Sequence, residues 1–123
     1  MRLLIVDDSN MIRSRISRVV QSGGLANVAL VGLARNGVEA IRIARSTRPE
    51  VVTMDLTMPE MDGIQCIGEM LRILPKTNIL VVSALSDKST AIAALKLGAR
   101  GFVAKPFTDD ELKMALLDVM EAR

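Results

Sequence analysis

VVTMDLTMPEMDG, residues 51–63, is the stretch whose reading decides the fold. Its first four residues, VVTM, form a short run that is largely apolar and β-branched, which reads as a strand buried on both faces. The run ends at Asp55, and the chain then passes through Pro59 to a turn at Asp62-Gly63, where helical periodicity begins. A buried strand that delivers a carboxylate to its own end, followed by a turn and a helix, is one unit of a parallel sheet. It also raises the question whether Asp55 is a cap or a reactive group.

The same unit recurs on both sides. LLIV (3–6), VALVGL (28–33), ILVV (79–82) and FVA (102–104) are further short apolar runs. Amphipathic stretches separate them. Residues 10–21 carry Ile12, Ile16, Val19 and Val20 on one side, and residues 37–46 use Val38, Ile41 and Ala44. Residues 63–74 use Ile64, Ile67, Met70, Leu71 and Leu74 before Pro75. Residues 87–97 use Ala91, Ile92 and Leu95 before Gly98. Thr108-x-x-Glu111 is a capping box, with Phe107 and Leu112 as its hydrophobic staple. Five β–α units predict a doubly wound α/β fold, a three-layer sandwich. Right-handed crossovers favour the flavodoxin-like order 2-1-3-4-5, with the site at the carboxyl ends of the strands.

Composition narrows the function. The 123 residues are enough for one domain with a real core, and 50% hydrophobic with 24% charged is a globular balance. Net charge is +2 with scattered basic residues, so no nucleic-acid footprint is expected. The single Cys66 excludes an internal disulfide and reads as a small hydrophobe on a helix. There is no histidine to act as general base or metal ligand. No apolar run approaches the ~18–20 residues that span a bilayer, and the N-terminal run is too short for a signal peptide. A cytoplasmic protein without membrane contact is expected.

Strand ends then supply the chemistry. The first ends in Asp7-Asp8, the third in Asp55, the fourth in Ser83 and the fifth in Lys105-Pro106. Three acids, a hydroxyl and an ammonium converge on one sheet edge. Two like charges ~4 Å apart repel by about 4 kcal/mol at an effective dielectric of 20. Either the carboxyls hold their protons or a cation neutralises them. With oxygen ligands alone the fitting ion is hard, Mg²⁺ or Mn²⁺. The set suits phosphoryl transfer with a carboxylate nucleophile. No Gly-x-Gly-x-x-Gly or Walker A sequence is present, so the phosphoryl group must arrive already mounted on something else, and with no histidine in the chain a phosphohistidine donor would be another protein.

LLIVDDSNMIR (3–13), ARNGVEAI (34–41), VVTMDLTMPEMDG (51–63), VVSA (81–84) and GARGFVAKPF (98–107) match, in order and spacing, a known family. The sequence resembles the receiver domain of two-component response regulators along essentially its whole length, and is most similar to the single-domain, chemotaxis-type members. The resemblance implies one receiver domain over residues 1–123, with no output domain, acting through protein contacts. It implies that Asp55 takes a phosphoryl group from a histidine kinase or a phosphotransfer protein. Asp8 and Asp55 would hold Mg²⁺ directly, Asp7 mainly through water, and the Thr57 backbone carbonyl would complete the protein ligands. Ser83 and Lys105 would contact the phosphoryl oxygens, with Lys105-Pro106 a cis peptide. Phe102 would be the aromatic switch that follows Ser83; the family often carries Tyr there and Thr at position 83.

A helical wheel adds a partner face. Leu97 on the fourth helix, Met114 and Leu117 on the fifth, and Phe102 on the strand between them are expected to form an exposed apolar patch. In the family this face engages a protein target or a second receiver, so a monomer that dimerises there is one form the output could take. Chemotaxis and a phosphorelay are both open outputs. Two other classes compete with the switch. Hydrolases of the haloacid dehalogenase type carry Asp-x-Asp after the first strand, whereas here the acids are adjacent and the candidate nucleophile is on the third. A phosphorylation-independent adaptor would have no need of the intact acids.

Overall fold

The computed structural model describes residues 1–22, 25, 27–58 and 60–121. Pro59, through which the chain passes on its way to the Asp62-Gly63 turn, lies outside the described residues. Elements alternate as β1 (Arg2–Val6), α1 (Asn10–Gln21), β2 (Ala29–Ala34), α2 (Gly37–Thr47), β3 (Val51–Met54), α3 (Gly63–Ile73), β4 (Asn78–Ala84), a 3₁₀ turn (Leu85–Asp87), α4 (Lys88–Leu97), β5 (Gly101–Lys105) and α5 (Asp109–Glu121). The strands form one sheet in the order β2-β1-β3-β4-β5, every pairing parallel. This is the expected topology.

Strand alternation explains the two cores. On one face Leu4, Val6, Val52, Met54, Ile79 and Val81 pack against Ala40, Ala44, Cys66, Ile67, Met70, Ala91 and Ala94 of α2, α3 and α4. On the other, Leu3, Ile5, Val51, Leu80, Val82 and Val103 pack against Ile16, Val19 and Val20 of α1 and Leu112, Leu116 and Val119 of α5. Both faces of the central strands are dry, which is why they read as continuous apolar runs. The edge strands β2 and β5 are the exceptions: Leu33 of β2 is 44% exposed and only Val103 of β5 is buried, so those runs are half buried.

Two helix faces differ from the wheel. In α4 the inward residues are Ala91 and Ala94, while Ile92 and Leu95 are exposed. In α2 they are Gly37, Ala40 and Ala44, and Val38 is exposed. The cause is the same in each. A small side chain lets the helix backbone approach its neighbours, so the closest face carries the smallest residues. A Cβ on Gly37 would stand only 2.7 Å from Cβ of Met61.

Helix starts follow local chemistry. Ser9, Asn36 and Asp62 each accept a backbone N–H as N-caps of α1, α2 and α3. At α5, Thr108 N–H donates to Glu111 Oε1 at 2.8 Å and Glu111 N–H donates to Thr108 Oγ1 at 3.1 Å, the expected capping box. Phe107 and Leu112 are buried in the same core, as a staple requires. Asp62 is therefore the cap in the opening stretch, and Asp55 is free for another task.

Candidate functional site

Ladder hydrogen bonds run one residue past the strands and set the acids side by side. Asp7 N–H donates to Ala34 O at 3.0 Å, and Asp55 N–H donates to Val6 O at 2.9 Å. Asp7 is fully buried, Asp55 is 4% exposed, and Asp8 lies on the open side. One carboxylate oxygen from each of Asp7, Asp8 and Asp55 lies within 4.8 Å of the others. Lys105 Nζ reaches in from the end of β5, 2.9 Å from Asp7 Oδ2 and 3.4 Å from Asp55 Oδ1. The Lys105-Pro106 peptide is cis, as expected.

These charges act on one another. Burial, then the Asp7 charge, push the Asp55 carboxyl up to about 6, against the opposing pull of Lys105 and the Thr57 N–H. Burial alone would lower the Lys105 ammonium, but its close contact with Asp7 and the charges of Asp7 and Asp55 leave it raised. Lys105 is thus a firm cation, and Asp55 changes charge near neutrality.

The site keeps room for another cation. Asp7 Oδ1 accepts Ser9 N–H at 2.9 Å, whereas the buried Asp7 Oδ2 has its ion pair with Lys105 but receives no well-formed hydrogen bond. Three carboxylates face one ammonium, all oxygen donors, which is the donor chemistry of Mg²⁺ and not of zinc or copper.

The sequence matches the response regulator receiver domain over residues 3–117. The chain belongs to that family. Among the relatives of this receiver is the chemotaxis protein CheY of Thermotoga maritima, 39% identical over 115 residues that cover 94% of this chain and 93% of that protein. The receiver domain of AraT from Geobacillus stearothermophilus superposes with a TM-score of 0.91 at 29% identity, covering 98% of this chain and 93% of that one. A CheX–CheY complex of Borrelia burgdorferi containing BeF₃ and Mg²⁺ gives 0.89 at 27% identity, covering 98% and 89%. Nothing in these likenesses or in the fold favours the hydrolase.

The receiver's remaining site residues fall around the acids. Ser83, 1% exposed at the end of β4, donates its hydroxyl to Asp87 Oδ2 at 3.0 Å. Thr57 N–H donates to Asp55 Oδ1 at 3.4 Å, and Thr57 Oγ1 donates to Asp87 Oδ2 at 3.4 Å. Phe102 pairs with Val81 across β5 and β4 and is half-buried against the α2–α4 core. Two residues escaped the sequence reading. Arg13 is buried, donating to Asp7 O at 2.6 Å and Asn10 Oδ1 at 2.9 Å, although its helical position marks only an interruption of the apolar face. Asp87 reads in sequence as a helix start, and the only hint of more is its place four residues after Ser83.

The apolar partner face needs one correction. Leu97 and Met114 are exposed as expected, at 49% and 59%. Leu117 is half-buried and packs against the Leu112–Leu116 core. Because α5 touches α1 as well as the sheet, its buried arc is wider than one counted from the sheet alone. Ile92 and Leu95 of α4 are exposed as well, at 45% and 42%. Among the described residues no helix is long and apolar enough to cross a membrane.

Proposed function

We propose that this receiver is a phosphorylation-dependent signalling switch with Asp55 as phosphoacceptor. One observation carries the reading: a nearly buried carboxylate at a strand end, within 4.8 Å of two further acids and 3.4 Å from an ammonium. In the transfer an Asp55 carboxylate oxygen forms an O–P bond. The P–N bond to a donor phosphohistidine breaks, its electron pair and a proton remaining on the imidazole. The donor is a histidine kinase or a phosphotransfer protein.

Asp8 and Asp55 would hold Mg²⁺ (or Mn²⁺), with Asp7 through water and the Thr57 carbonyl as a further oxygen. When bound, the ion supplies positive charge for the transferring oxygens. Lys105 contributes a second, fixed charge and Ser83 a hydroxyl donor once its side chain turns toward Asp55. Burial of Asp55 keeps bulk water from competing with the donor while leaving its strand-end oxygen open to a protein. The catalysis belongs to the chain's own phosphorylation and dephosphorylation, and not to turnover of a separate substrate.

Phe102, behind Ser83, is the side chain that would register the movement. The output face is α4, β5 and α5, where Ile92, Leu95, Leu97 and Met114 would meet a protein target or a second copy. The CheX–CheY complex supports a protein partner of this kind. Acetyl phosphate with Mg²⁺, followed by intact mass, tests the acceptor. A single phosphate adduct on the wild type and none on Asp55→Asn is expected; no adduct on the wild type overturns the reading.

A further inference from the structure

The transfer leaves one carboxylate at the site without a task. Asp87 Oδ2 accepts from Ser83 Oγ at 3.0 Å and from Thr57 Oγ1 at 3.4 Å, tying together the end of β4 and the loop after β3. Asp87 also occupies the N-cap position of α4, yet its side chain makes no capping hydrogen bond. At α1, α2 and α3 the cap side chains do accept from the first turn. An aspartate in this position ordinarily caps. At α4 the carboxylate is taken by the two hydroxyls instead, and Asp87, with φ −94° and ψ 23°, lacks the extended backbone of the other three caps.

The geometry points to Asp87 as a two-position carboxylate, a positioning residue that couples the phosphoacceptor site to the start of α4. This rests on Asp55 being the acceptor. In the first position Asp87 holds the Ser83 proton. In the second it caps α4.

A serine hydroxyl has a single proton to give. Ser83 can donate to Asp87 or to a phosphoryl oxygen on Asp55, not to both. Thr57 stands beside both acids, its N–H on Asp55 and its hydroxyl on Asp87. A phosphoryl group also adds about 1.5–2 negative charges, which repel the Asp87 carboxylate. Both effects push the same way. Released, the side chain lies beside the first turn of α4, whose opening N–H groups, at Ser89 and Thr90, are the donors an N-cap carboxylate takes. The same helix carries Ile92, Leu95 and Leu97 on its exposed side.

Asp87→Ala removes the competitor for Ser83. With acetyl phosphate and Mg²⁺, its adduct should form about threefold to tenfold faster than on the wild type, the size of one hydrogen-bond exchange. In a Ser83→Ala background the same substitution should change the rate less than about twofold, since the hydroxyl it liberates is gone. Amide hydrogen exchange at Ser89 and Thr90 gives an independent readout. Phosphorylation should slow it in the wild type and leave it unchanged in Asp87→Ala. An Asp87→Ala rate at or below wild type, an equal gain without Ser83, or equal protection of those amides in both proteins overturns the inference. A wild type that takes no adduct overturns the acceptor reading itself.

Discussion

Lys105 Nζ stands closer to Asp7 (2.9 Å) than to Asp55 (3.4 Å), so the ammonium is engaged first by Asp7 and only second by the proposed acceptor. Asp55 receives only part of that charge, and its carboxyl stays raised to about 6.

Removing the ammonium should lift it further. In metal-free Lys105→Met, the Asp55 titration followed by ¹³C carboxyl NMR should move up by about one unit or more, as loss of an opposite charge within 4–6 Å dictates. The ionised, nucleophilic fraction at pH 7 falls accordingly. A midpoint unchanged or lowered would contradict the assigned geometry.

Asp55 also sets a pH dependence of stability. Its folded value, about 6, lies above the ordinary 3.8. The native state therefore holds the proton more tightly, and stability declines as pH rises from about 4 to about 6. Asp55→Asn escapes this. It should be more stable than the wild type at pH 7 by on the order of 2 kcal/mol, and gain nothing near pH 3.5. Urea unfolding without metal at the two pH values checks the sign.

Thr53 is fully buried in β3 and its Oγ1 has no hydrogen-bond partner among the described residues. Thr53→Val keeps the shape and removes the orphan hydroxyl. It should stabilise the fold by about 1 kcal/mol, a Tm rise of roughly 4 °C. Calorimetry showing a lower Tm would mean that the hydroxyl is satisfied.

Gly63 opens α3 hard against the two residues that follow β3. A Cβ there would lie 2.5 Å from Leu56 Cα and 2.6 Å from Asp55 O, both backbone atoms that cannot turn aside. Gly63→Ala should cost on the order of 2 kcal/mol and slow adduct formation by displacing Asp55. Wild-type kinetics in a destabilised protein would show that the strain is absorbed on the α3 side.

On the partner face, exposure separates two kinds of leucine. Leu97→Asp and Met114→Asp should leave unfolding within about 0.5 kcal/mol of wild type yet weaken association of the phosphorylated chain in sedimentation. Leu117→Asp, placing a charge against the core, should lower stability by at least about 2 kcal/mol. Equal stability losses at all three positions would mean that the face is not a free surface.

Much of this was legible because central strands buried on both faces cannot disguise themselves. Once they are counted, Asp7, Asp8, Asp55, Ser83 and Lys105 fall at one edge by topology alone. What could not be read was relative depth. An apolar wheel weights large residues, whereas the closest packing in α2 and α4 belongs to Gly37, Ala40, Ala91 and Ala94. Leu33 is half-exposed because β2 is an edge strand, a property of the assembled sheet. Arg13 and Asp87 have ordinary places on helices, and only their partners, on other turns and strands, make them more than that.

The alanine floor of α4 has a mechanical consequence. α5 is held to the sheet by Leu112, Leu116 and Val119, whereas α4 is held by Ala91 and Ala94, with no half-buried isoleucine or leucine of its own beside them. At roughly 0.8 kcal/mol for each buried methylene-sized group, α4 is the most compliant of the five helices. Fewer and smaller buried side chains hold it to the sheet than hold α1, α3 or α5. A hydrogen bond gained or lost at its first residue is comparable to much of what anchors it. The surface that a partner would meet is therefore mounted on the part of the molecule that a small signal can displace.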